Sequence, residues 1–82
     1  MIEIMHIVIA KVDTVLFEGE AYSLTVPAVG GEMTVLGGHM PLVTTLKAGE
    51  ARVHIAAGDT PKIFSLSGGV LEVRSDGATV IL

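Results

Sequence analysis

The apolar residues of this chain come in short runs rich in Val, Ile and Leu, and Gly, Asp, Pro or Ser cuts each run off. No stretch of about 11 residues or more carries an apolar stripe at helical spacing. That pattern excludes a helical bundle and predicts an all-β chain. Strands are expected over residues 4–10, 15–17, 21–26, 31–36, 42–46, 50–56, 62–66, 70–74 and 79–82. Local turn chemistry separates them: Lys47-Ala48-Gly49, Ala57-Gly58-Asp59-Thr60-Pro61 and Ser75-Asp76-Gly77. Alternation fixes faces in two places. Ala51, Val53 and Ile55 point one way and Glu50, Arg52 and His54 the other, while Leu71 and Val73 oppose Val70 and Glu72. Each reads as a strand with one wet face. Many short antiparallel strands with regular turns predict a small β-sandwich or barrel.

The chain has 82 residues, so a single domain over residues 1–82 is expected. A domain of this size buries only part of its surface, yet 50% of its residues are apolar. That excess predicts apolar surface that meets a partner. The net charge is -4, and the five cations (Lys11, Lys47, Arg52, Lys62, Arg74) are scattered. With no basic stripe, nucleic-acid binding loses its main electrostatic driving force and is not expected. There is no cysteine, which excludes a disulfide scaffold, thiolate zinc sites and Cys nucleophiles. The N-terminus carries Glu3 and no basic segment, so it does not read as a signal peptide. No apolar run approaches the ~20 residues of a membrane helix. A soluble or peripheral protein is expected.

Catalytic constellations are missing. His6, His39 and His54 have no metal-ligand spacing. His54 is expected on a solvated strand face and His6 partly buried with a hydrogen bond. Ser65 and Ser67 lack the Gly-x-Ser-x-Gly elbow. Gly68-Gly69 has no following Lys or helix to make a phosphate cradle, so it reads as a point where backbone meets backbone. Glu18 and Glu20 share a strand face and read as a hydrated edge rather than an acid–base pair. Glu32, after Gly30-Gly31, is placed at a loop tip, as a solubilising acid or as a contact for a basic loop on a partner. No metal, cofactor or catalytic residue is expected.

Three segments, taken together, resemble one family. Gly31-Glu32-Met33-Thr34-Val35, Gly38-His39-Met40-Pro41-Leu42 and Leu66-Ser67-Gly68-Gly69-Val70-Leu71-Glu72-Val73 are similar to the epsilon subunit of F-type ATP synthases. Val15-Leu16-Phe17-Glu18-Gly19 and the closing Ala78-Thr79-Val80-Ile81-Leu82 fit as well, so the resemblance covers nearly the whole chain. The chain departs from the family at Gly37, where a proline is frequent, and at Thr34, where a glycine is frequent. Nothing in it matches the C-terminal helical hairpin with which that family usually continues.

The resemblance implies an antiparallel sandwich of about ten short strands. It also implies a non-catalytic rotor subunit of the central stalk, linking the gamma subunit to the c-ring and coupling ion flow to ATP synthesis. Gly31, Glu32 and Met33 would face the c-ring, and His39, Met40, Pro41 and Leu42 the gamma subunit. Such a subunit sits peripherally on the cytoplasmic face of the cell membrane, through its complex. Without the hairpin, no nucleotide binding is expected. Two other readings compete. One is a biotinyl- or lipoyl-type carrier domain, for which Lys47 in Leu-Lys-Ala-Gly is a half-fitting attachment point. The other is a small cupin-like metalloenzyme.

Overall fold

The computed structural model describes residues 4–82; Glu3, in the N-terminal segment, lies outside them. Nine strands form among the described residues: β1 Met5–Ala10, β2 Val15–Ala21, β3 Ser23–Ala28, β4 Gly31–Leu36, β5 Leu42–Leu46, β6 Gly49–His54, β7 Lys62–Leu66, β8 Gly69–Arg74 and β9 Gly77–Ile81. They run as one curled sheet in the order β2-β1-β9-β8-β5-β3-β6-β7, with β4 beside β3. All neighbours are antiparallel except β1 and β9. The sheet curls sharply between β5 and β3, where a single residue pair, Ala28 with Leu46, joins two halves. One half is β2-β1-β9-β8-β5 and the other β4-β3-β6-β7, so the architecture is the expected small sandwich.

Each predicted run becomes one strand, with shifts at the ends. The second grows from 15–17 to Val15–Ala21, because β1 offers a partner for nearly every residue down to the Met5–Ala21 pair. Glu18 and Glu20 therefore lie within a strand. The chain turns at Tyr22, so the third strand starts at Ser23 and runs on to Ala28. It tolerates Pro27 because its pairing with β6 ends at Thr25 and the bridge to β5 begins only at Ala28, so the position needs no N–H. The sixth stops at His54, and Ile55, expected on the buried face, is exposed.

The core lies between the halves. Ile7, Ile9, Leu71, Val73, Ala78 and Val80 face inward from one; Leu24, Val26, Val35, Ala51 and Val53 do so from the other. The alternation read at β8 holds: Leu71 and Val73 are buried and Val70 and Glu72 exposed. Phe17 and Phe64 pack against the cluster with ring centroids 5.9 Å apart, in the tilted geometry aromatic pairs favour. Truncating Leu71 to Ala removes buried methyl groups from a site with no exposure. It is expected to lower unfolding free energy by about 2–5 kcal/mol in urea melts.

Gly69 answers the question raised by the Gly68-Gly69 pair. Its φ is +143°, and a Cβ there would stand 2.5 Å from the Ile81 carbonyl oxygen. The glycine is present because β8 and β9 backbones approach too closely for a side chain. Gly69→Ala should therefore destabilise by more than about 1 kcal/mol in the same melts, through strain and the displaced β9 carbonyl.

Candidate interaction surface

The strand directions sort the loops into two clusters at opposite ends of a molecule about 34 Å in its longest dimension. At one end lie the Val29-Gly30 tip of the β3–β4 hairpin, the Lys47-Ala48 turn, the Ser67-Gly68 turn, the 11–14 turn and Leu82. The pairings Ala28 with Gly31, Leu46 with Gly69 and Ala10 with Ile81 bring them there. At the other end lie Tyr22, the 37–41 loop, the 55–61 loop and the Ser75-Asp76 turn, gathered by the pairs Ser23 with Leu36, Ser23 with His54 and Leu42 with Val73.

Gly31, Glu32 and Met33 form the first half of β4, next to the hairpin tip. Glu32 is not a free acid. Arg52 of β6 reaches across β3 and donates from Nη2 to Glu32 Oε2 at 2.7 Å. Beside them the hydroxyls of Thr25 and Thr34 bond at 2.9 Å. Thr34, which replaces a frequent glycine of the resembled family, thus has a side-chain partner. Met33 packs partly against the core.

His39, Met40, Pro41 and Leu42 stand at the opposite end. The His39 N–H donates to the Leu36 carbonyl at 3.1 Å, closing a turn at Gly38 with φ +80°. Its ring Nδ1 donates to the Met40 carbonyl at 2.8 Å, so this nitrogen carries the hydrogen. Met40 is 78% exposed, while Leu42 turns back onto the core. The two groups of residues singled out from the sequence are therefore not one site.

A third surface gives the expected apolar excess its place. The outward side chains of the five-stranded half align into rows across the strands. One row reads Thr45, Val70, Ile81, Ala10, Val15 from β5 to β2. Val43, in the adjoining row, is 69% exposed, and Val70, Ile81 and Val15 are all exposed. Residues at the far end of this face are charged: His6, Glu20 and Arg74.

The remaining candidates are dispersed. Ser65 and Ser67 line an open hollow with Lys11, Val12, Asp13, Leu66 and Leu82, and no histidine joins them. Among the described residues no three His, Cys, Asp or Glu side chains are grouped to hold a metal. No helix among them is long and apolar enough to cross a membrane. His54, expected on a wet face, is half-buried, and its Nδ1 is enclosed without a partner. His6 lies between Glu20, 3.1 Å from Nδ1, and Glu18, 3.2 Å from Nε2. These contacts, Glu20 foremost, raise its pKa above the usual 6.5 and outweigh the opposing desolvation. A turn at 11–14 alone would set residue 6 opposite residue 19; a bulge at Leu16, where the register shifts between Ile9 and Ala10, brings it opposite Glu20.

Among the described residues, a broad outward face and two loop clusters make up the exposed surface of a small β-sandwich. Over residues 4–82 the chain matches the family of the ATP synthase delta/epsilon chain, beta-sandwich domain, and it belongs to that family. It is 33% identical over 81 residues to the ATP synthase epsilon chain of Herminiimonas arsenicoxydans, covering 99% of this chain and 58% of that one. With the epsilon chain of Clostridium kluyveri it shares 32% over 81 residues, covering 99% and 61%. The chain thus spans about three-fifths of these relatives' length. The fold superposes on a chain of the Euglena gracilis mitochondrial ATP synthase OSCP/F1/c-ring structure with TM-score 0.85 and 23% identity, over 94% of this chain and 49% of that one. A chain of the Tetrahymena thermophila central stalk/c-ring structure gives 0.77 and 10%, over 94% and 61%. The sandwich is that of an epsilon chain, and this membership leaves the carrier and cupin-like readings without support.

The Glu32–Arg52 pair is solvent-facing, so its contribution to stability is small. Arg52→Ala should lower the unfolding free energy by no more than about 1 kcal/mol in urea melts.

Proposed function

We propose that residues 1–82 act as a rigid, non-catalytic joint in the central stalk of an ion-translocating F-type ATP synthase, linking the gamma subunit to the c-ring. Ion flow through the membrane sector turns the ring, and this joint passes the torque toward the head where ATP is made. The subunit sits peripherally on the cytoplasmic face of the membrane through its partners. The observation that carries this reading is the separation of the two candidate groups, each with an exposed member in Glu32 and Met40, at opposite ends of one continuous hydrogen-bonded sheet. A torque joint needs two contact regions that cannot move relative to each other, and a sheet with a close-packed core supplies that stiffness.

Gly31, Glu32 and Met33 take the c-ring. Glu32 has a side chain 60% exposed, and Arg52 occupies only its Oε2. Its other oxygen is open to a basic or polar loop, where opposite charge sets register and encounter rate. His39, Met40, Pro41 and Leu42 take the gamma subunit. Met40 supplies a flexible apolar side chain, and the loop leads through Leu42 to exposed Val43, so the contact has room for an apolar centre with a polar rim.

Binding to purified gamma subunit and to detergent-solubilised c-ring, measured separately, tests the assignment. Glu32→Lys should weaken c-ring binding by at least about tenfold and leave gamma binding unchanged; Met40→Asp should do the reverse. Folded variants that bind both partners as the parent does would refute the assignment.

A further inference from the structure

The β1–β2 hairpin carries a cluster that the stalk reading does not use. β2 is the outermost strand of its half and has one neighbour, β1. On the outward face of this pair, Glu20 and Glu18 receive the two ring nitrogens of His6 at 3.1 and 3.2 Å. Ionised carboxylates only accept, so both contacts need a hydrogen on the nitrogen, and only the imidazolium carries both. A neutral ring serves one carboxylate and turns a lone pair toward the other. The clasp is therefore complete in one protonation state alone.

The other neighbours of His6 leave that dependence intact. β9 sets Gly77, which has no side chain, opposite His6. Asp76, in the β8–β9 turn, accepts the His6 backbone N–H through its carbonyl at 3.2 Å. The Asp76 carboxylate and Glu72 of β8 are both held by Arg74, at 3.6 and 3.2 Å, and Arg74 also donates to Thr79 of β9. The charges on that side answer one another, and Glu18 and Glu20 are the carboxylates that face the imidazole.

We propose that His6 is a protonation-controlled fastener of the edge strand β2: as imidazolium it ties Glu18 and Glu20 to β1, and on losing its proton it frees the strand's open edge. The direction with pH follows from the raised folded pKa. The fastening is fully present below the unfolded value of about 6.5 and is lost as pH rises through the higher folded one. This inference stands on the hairpin alone and does not require the stalk reading.

Amide hydrogen exchange of the chain, read residue by residue by NMR between pH 6 and 9 as protection factors, tests it. Protection in β2 should fall by about two- to fivefold over that range, the span of exposed ion pairs. β8 and β9 should hold steady and report that the fold is intact. His6→Gln should abolish the dependence, as should the Glu18→Gln, Glu20→Gln double variant, which also covers the case of a single variant that does not fold. The His6 ring proton should titrate above 6.5 in the parent and move down in the double variant. An equal pH dependence of β2 in parent and variants, or a His6 ring that titrates at or below 6.5, would overturn the proposal.

Discussion

The aliphatic layer between the two halves of the sheet carries this fold. Backbone hydrogen bonding joins the halves at one residue pair, Ala28 with Leu46, so the ladder alone cannot hold one half over the other. What does is the burial of Ile7, Ile9, Leu71 and Val80 against Leu24, Val26, Val35 and Val53. A chain of 82 residues without cysteine has no disulfide to supplement that layer, and small domains bury too little surface to lose any of it cheaply. Outside that layer the chain places exposed Val, Ile and Met side chains.

Much of this was legible in the order of residues. Where apolar and polar residues alternate strictly, as in Leu71-Glu72-Val73-Arg74, the buried face was evident, because side chains alternate across a strand. The Gly68-Gly69 pair was legible as a close backbone approach, and the β9 carbonyl beneath Gly69 supplies the cause. Legibility failed where a partner strand overrides local pattern. The strand read at 15–17 extends to Ala21, because β1 pairs with all of that stretch but Leu16. Contacts between distant segments were out of reach for the same reason. Glu32 and Arg52 are 20 residues apart and meet only because β4 and β6 flank β3.

This geometry recasts the motif around His39. The histidine uses its ring to brace its own loop through Met40 and leaves the exposed thioether as the prominent group. Glu32 keeps the exposure that made it a candidate contact, but its charge is shared with Arg52, so a basic partner meets a preoriented carboxylate rather than a mobile one. The strands β3 to β5 connect the two groups.

Site-directed cross-linking in the assembled complex addresses the joint most directly. The parent chain has no cysteine, so Glu32→Cys and Met40→Cys each give a single attachment point for a photoreactive maleimide. The label at position 32 should capture the c-ring and the label at position 40 the gamma subunit. Capture of one and the same subunit from both positions, or of neither, would contradict a joint that holds two partners at its opposite ends.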